Sequence, residues 1–214
     1  MPKYKLIYFD IRGRAEIPRL LLTYTGIKFE DKRLRIESNG HCNEWIELKS
    51  KMPQKVLPVL EVDGKQLSQS LTICRYLARE FGLCGKTNWE QAQVEQVVDT
   101  MDDLRAEVAK WIYEKDTVKK DEIASNLRSE IYPKFFGILE TILRENEENN
   151  NRSGYFVGDH LTLADLSVFE TFTFPLSIHP DIFDDHLELQ EHRQRIMTDK
   201  HLAEYIKNRP ERPV

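Results

Sequence analysis

Residue types that commonly carry chemistry are sparse in this chain of 214 residues. Its three cysteines, Cys42, Cys74 and Cys84, match neither a CxxC redox pair nor a zinc-binding spacing. Six histidines are scattered without an HExxH or other ligand pair, so they read as surface or structural residues. Metal catalysis and thiol–disulfide exchange are therefore not expected. Four local features remain. Tyr8 closes a short apolar run and leads into Asp10-Ile11-Arg12-Gly13-Arg14; taken alone, a tyrosine in a strand is a packing residue more often than a catalyst. Pro58 stands at the head of another apolar run, where a proline is unusual unless it has a defined role. Gln69 and Ser70 open a helix, where a serine either caps the first turn or shares an anion site with the free N–H groups. Asp99, Asp102 and Asp103 bring three carboxylates to one helix face at i, i+3, i+4 spacing, as a solvated surface also would.

Two different periodicities must position these residues. In the first eighty, strand-like runs (Lys3 to Phe9, Lys28 to Leu34, Leu57 to Val62, Lys65 to Leu67) alternate with helix-like ones. The helices are Ala15 to Thr25, Glu44 to Lys49 and Ser70 to Phe81, and Asp63-Gly64 is a hairpin turn. Pro18 is tolerable in the first turn of its helix, where backbone N–H groups lack partners. Interleaving of this kind predicts a mixed sheet covered by helices. Residues 82–88 form a glycine-containing linker, and beyond it the strand pattern stops. Val94, Val97, Val98, Met101, Leu104 and Val108 recur at helical spacing, and Ile123 to Glu145 gives a second long helix. Glu145 to Gly154 reads as a solvated loop. Thr162 and Asp165 form a capping box, with Leu161 and Leu166 as its staple. Shorter helices near Leu187 to Met197 and Lys200 to Lys207 follow. The expected organisation is an α/β domain over 1–81, a linker over 82–88, and an all-helical domain over 89–214.

Charge and hydropathy narrow the function classes. The net charge of -5 and the lack of a basic stripe argue against nucleic acid as a partner. No apolar run approaches the roughly 20 residues that span a bilayer, and the polar N-terminus is unlike a secretory signal. A cytoplasmic location is the expectation.

The stretch Tyr8-Phe9-Asp10-Ile11-Arg12-Gly13-Arg14-Ala15-Glu16 resembles the N-terminal signature of sigma-class glutathione transferases. The resemblance continues through Val56-Leu57-Pro58-Val59-Leu60, Ser68-Gln69-Ser70, Val98-Asp99-Thr100-Met101-Asp102-Asp103 and Gly158 to Leu166, to Asn208-Arg209-Pro210. The class includes haematopoietic prostaglandin D synthase and the cephalopod S-crystallins. It implies a thioredoxin-like domain followed by an all-helical one, glutathione as co-substrate and no required metal. Tyr8 would activate the glutathione thiol. Arg14, Trp45, Lys49, Leu57, Pro58, Gln69 and Ser70 would bind glutathione, with Pro58 in a cis peptide. Asp103 would reach from the partner subunit of a homodimer. Phe9, Gly13, Arg14, Leu104 and Arg105 would face a hydrophobic electrophile. The class also raises Asp99, Asp102 and Asp103 as a shared cation site, and gives Thr162 and Asp165 a role in folding.

Departures from the class pattern are informative. A Gly-Lys or Gly-Gln pair often precedes the hydrophobic residue and proline, whereas Gln54-Lys55-Val56 stands here; either the usual polar contact is lost or Lys55 reaches in. Lys110 replaces a tryptophan of the vertebrate prostaglandin pocket, which argues against isomerase activity. The short connection from Glu114 to Glu122 leaves no room for a crystallin-type insertion. Conjugation of glutathione to electrophiles is the leading expectation. A glutathione-dependent prostaglandin isomerase and a low-activity crystallin-like protein are the alternatives.

Overall fold

The computed structural model describes residues 2–150 and 153–210. The chain divides into two compact units, one running to Leu83 and joined by the segment from Asp199, the other covering Cys84–Thr198. The first unit contains β1 (Tyr4–Phe9), α1 (Glu16–Tyr24), β2 (Phe29–Leu34), α2 (Asn43–Leu48), β3 (Val59–Val62), β4 (Lys65–Ser68) and α3 (Ser70–Glu80). Its sheet has the order β2-β1-β3-β4. β1 runs parallel to β2 and antiparallel to β3, and β3 and β4 form a hairpin. The mixed sheet follows from the connections. α1 is the crossover that a parallel pair requires, while Asp63 and Gly64 turn the hairpin with φ of 49° and 81°, as a two-residue primed turn demands. β1, paired on both edges, buries Tyr4, Leu6, Ile7 and Tyr8. α1 stops at Gly26 (φ 68°), where the Ile27 N–H donates to the Leu22 carbonyl and the Gly26 N–H to that of Thr23.

By its contacts the short helix α9 (Ala203–Asn208) groups with this first unit. Side-chain contacts account for that grouping. The Tyr205 hydroxyl donates to Glu16 at 2.9 Å, Arg209 does so at 3.1 Å, and the Tyr24 and His201 rings meet edge to face.

The second unit is helical: α4 (Asn88–Tyr113), α5 (Thr117–Asn126), α6 (Tyr132–Asn149), α7 (Leu163–Ile178) and α8 (Leu187–Thr198). The apolar stripe of α4 from Val94 to Val108 is buried, as its spacing predicts. The single helix expected over 123–145 is instead two, joined by a wide π turn at Leu127–Ile131. Pro133 supplies the reason: it has no N–H to donate, and its ring crowds the carbonyl four residues back. The supposed connection over 114–122 shrinks to 114–116, because α5 begins at Thr117. α6 runs on to Asn149, so the loop expected from Glu145 starts later; residues 151 and 152 lie outside the described set. α7 is buried on all sides from Leu163 to Thr173, the mark of a central helix.

The start of α7 is held by one carboxylate. Asp165 accepts from the Thr162 N–H at 2.7 Å, the Thr162 hydroxyl at 3.0 Å and the Phe156 N–H at 2.9 Å, and meets His192 Nε2 at 3.0 Å. The side chain has no exposure, so Asp165→Ala would strand several buried donors. It should cost at least about 3 kcal/mol, read as a lower denaturant midpoint for loss of helix. At the surface, Asp159 is held down at about 2 by hydrogen bonds from Lys86 and then His160. Because this pKa is lowered, any stability it lends is present above the ordinary carboxylate pKa and is lost as pH falls towards 2. Carboxyl NMR titration should place Asp159 well below its neighbours, and Lys86→Ala should raise it.

Candidate functional site

Tyr8 stands one residue before the end of β1, with its side chain buried to 8 % exposure. Past Phe9 the chain turns sharply. The Asp10 N–H donates to Leu34 and the Ile11 N–H to Phe9, both at 2.8 Å. Gly13, at φ +42°, then lets the chain double back beneath the phenol. The Arg14 backbone N–H donates to the Tyr8 hydroxyl oxygen at 3.3 Å. A Cβ on Gly13 would lie 2.8 Å from that same oxygen. Gly13 is therefore required twice, for its backbone conformation and for the space beside the hydroxyl. An oxygen that accepts a backbone N–H is polarised, which makes its own O–H a better donor. A donor of that kind, at the end of a central strand, suits a ligand that carries negative charge.

A second wall surrounds Pro58, whose peptide bond with Leu57 is cis, as the resemblance implied. Ile7, Leu34, Cys42, Met52 and Val59 form an apolar cluster, against which Phe9, Trp45, Leu48 and Leu57 pack half-buried. Trp45 meets Phe9 edge to face at 6.1 Å, and Phe9 meets Tyr8 in the same way at 5.5 Å. An aromatic row thus runs from α2 to the phenol. Lys49 is exposed on the turn that extends α2.

The third wall is the start of α3. Ser70 is its first helical residue and Gln69 occupies the cap position with φ of 74°, but no side chain caps the helix. Ser70 is therefore not a cap; the first-turn N–H groups are left without a side-chain acceptor, an arrangement suited to a carboxylate. The Gln69 amide donates to the side-chain oxygen of Gln54 at 2.7 Å. Gln54 and Lys55 are both left-handed, at φ of 54° and 53°. Gln54, rather than Lys55, is thus the polar residue that meets the Gln69-Ser70 motif. Sequence reasoning passed over it, since a glutamine in a polar turn carries no pattern of its own.

In the second unit, Asp99 and Asp103 are exposed and Asp102 is half-buried on α4. Among the described residues no group of three or more His, Cys, Asp or Glu is arranged to hold a metal ion, so the three aspartates do not converge on one. Leu104 has no exposed surface and belongs to the core stripe of α4. Arg105 is half-buried and reaches the Thr171 hydroxyl at 3.3 Å.

A four-stranded mixed sheet with a polarised tyrosine, a cis-proline wall and an uncapped helix start, followed in the chain by an all-helical unit, defines the glutathione transferase fold. Comparison with known families agrees. Residues 4–79 match the glutathione S-transferase N-terminal domain and residues 102–209 the C-terminal domain. The chain is 37 % identical to glutathione S-transferase 1 of Ascaris suum over 216 residues, covering both proteins completely. It is 38 % identical to hematopoietic prostaglandin D synthase of Gallus gallus, with 98 % of each chain covered. Among solved structures, a monomeric glutathione S-transferase of the hookworm Necator americanus, Na-GST-3, superposes with a TM-score of 0.87 at 36 % identity, covering 98 % of each chain. The chain belongs to the glutathione S-transferase family, and it is an enzyme of that family.

Gly13→Ala should displace the Tyr8 hydroxyl and cost about 1–2 kcal/mol of backbone strain. Transferase turnover should drop by at least about tenfold, corresponding to ~1.4 kcal/mol in the barrier. Equal turnover in this variant and the parent would show that the close approach is immaterial.

Proposed function

We propose that the protein is a sigma-class enzyme in which the Tyr8 hydroxyl stabilises the thiolate of bound glutathione for attack on small hydrophobic electrophiles. The observation that carries this reading is the Arg14 N–H on the Tyr8 oxygen, with Gly13 making room for it. Bringing a thiol from a pKa near ~9 to about 7 needs roughly 2.7 kcal/mol of preference for the thiolate. One hydrogen bond to a charged group contributes about 1.5–3 kcal/mol, so a well-aimed phenol is sufficient in magnitude. The remaining acceleration comes from holding the two reactants together.

The tripeptide is assigned along the three walls. Its γ-glutamyl carboxylate takes the uncapped start of α3 with Gln69 and Ser70, beside Gln54. The backbone of Leu57, exposed by Pro58, pairs with the cysteinyl residue. The glycyl carboxylate lies towards Trp45 and Lys49. The sulfur then faces Tyr8, and the electrophile approaches beside Phe9, Gly13 and Arg14. We also infer a homodimer in which the partner subunit's Asp103 binds the α-amino group, a cytoplasmic location and a role in detoxification. No metal is assigned to the reaction.

Isomerisation of a prostaglandin endoperoxide is the second reading, favoured by the identity to the Gallus gallus synthase. Lys110, whose ammonium group pairs with Glu107 at 2.6 Å, stands where that pocket has a tryptophan, which supports conjugation instead.

Tyr8→Phe should still bind glutathione resin while losing most turnover of 1-chloro-2,4-dinitrobenzene, and full activity in that variant would refute the assignment. Steady-state kinetics across electrophiles, lipid-peroxide products and prostaglandin H2 separates the two readings.

A further inference from the structure

Glu16 and Arg19 lie one turn apart on α1, and neither has any exposed surface. Buried charge is costly unless it is paired and its hydrogen bonds are made. Here the partners come from both ends of the unit. Arg19 Nη1 donates to Glu16 Oε2 at 3.2 Å, and Arg19 Nε bridges both oxygens of Asp31 at 3.1 Å. Arg33 joins the cluster through Nε to Asp31 at 2.7 Å and Nη1 to Asp10 at 3.4 Å. On the other side, Glu16 Oε1 accepts from the Tyr205 hydroxyl at 2.9 Å and from Arg209 Nη1 at 3.1 Å. Three carboxylates (Glu16, Asp31, Asp10) thus meet three guanidinium groups (Arg19, Arg33, Arg209), so the cluster is neutral. Burial, reinforced by the charge of Glu16, pushes the Tyr205 pKa up, so its hydroxyl stays a donor.

A second set of bonds links this cluster to the site. Arg19 Nη1 also donates to the carbonyl of Ile11 at 2.8 Å and to that of Arg12 at 3.4 Å. The Arg12 carbonyl accepts in addition from the Ala15 N–H at 3.2 Å. These carbonyls belong to the turn that carries Gly13 and Arg14 to the phenol. We propose that Glu16 and Arg19, clamped by Tyr205 and Arg209 from the far end of the chain, are positioning residues that fix the Arg14 amide on the Tyr8 hydroxyl. The proposal rests on the reading of Tyr8 as the thiol-activating group. These four residues act through backbone carbonyls rather than on the substrate. Loosening the clamp lets the turn relax, weakens the polarisation of the phenol and lowers the thiolate fraction.

Point variants of the full chain test this. Tyr205→Phe removes one donor and keeps the ring; Arg209→Met removes the charge, and Arg209→Lys restores it. The measurement is the ultraviolet thiolate band of bound glutathione against pH, with the pH profile of kcat/KM beside it. Tyr205→Phe and Arg209→Met should each raise the apparent pKa of the bound thiol by about half a unit, roughly a threefold loss of thiolate at neutral pH. Arg209→Lys should recover most of that loss, with the KM for glutathione changed by less than about twofold. In a Tyr8→Phe background, Tyr205→Phe should add no further shift. A lower melting temperature with an unchanged thiol pKa would make the clamp purely structural and overturn the proposal. Should Arg209→Met fail to fold, Tyr205→Phe decides the matter. A Tyr8→Phe protein whose thiol pKa matches the parent's would instead overturn the reading of Tyr8, a separate failure.

Discussion

A carboxylate and a guanidinium group sealed inside α1 set the terms for the first unit. Leucines at 20, 21 and 22 leave Arg19 no route to water, so its charge has to be met within the protein. Glu16 meets part of it, Asp31 on β2 another part, and the carbonyls of the β1–α1 turn a third, which leaves only Nη2 without a hydrogen bond. One side chain thereby ties a strand, a helix and a turn together. Glu16 in its turn draws in α9, so the last described helix returns to the beginning of the chain. Such ionic clusters gain little net stability over a well-packed apolar core, but they restrict geometry closely. Restricted geometry is what a site built on one backbone N–H and one phenol needs.

Much of this architecture was legible in the sequence, and for identifiable reasons. Strand periodicity in Tyr4–Phe9, the Asp63-Gly64 turn and the Gly26 stop each specify local backbone independently of the remainder of the fold. The stripe of α4 and the Thr162–Asp165 box are likewise local signals. What escaped had two sources, a local proline that periodicity does not register and contacts distant in sequence. The helical pattern runs unbroken through Leu127–Ile131, so periodicity could not reveal the π turn that Pro133 demands. An arginine among leucines on a helix reads as a solvated edge until Asp31 and the turn carbonyls are seen around it. α9 resembles any short terminal helix, and its grouping with the first unit rests on Tyr205 and Arg209 meeting Glu16 and on His201 against Tyr24.

The site divides in the same way. Tyr8, Pro58, Gln69 and Ser70 could be singled out because the family resemblance adds to weak residue signals. The resemblance did not show that Ser70 would be a helical residue rather than a cap, or that Gln54 would stand against Gln69. At Leu104 a family motif and a core stripe overlap: its neighbours on α4 belong to the motif, while its own position falls on the stripe.

Gln54, Lys55 and Gln69 all hold positive-φ backbone without being glycine. Each such residue carries of order 1–2 kcal/mol that the surrounding contacts must offset. In the turn before β3 and at the start of α3, the folded chain has therefore given up stability to present exposed polar groups. A ligand that grips those groups returns some of what was given up, and the gain appears as stability of the whole unit. On the proposed reading, glutathione bound there would be a reactant and also a brace, its supply setting how firmly this end of the sheet is held.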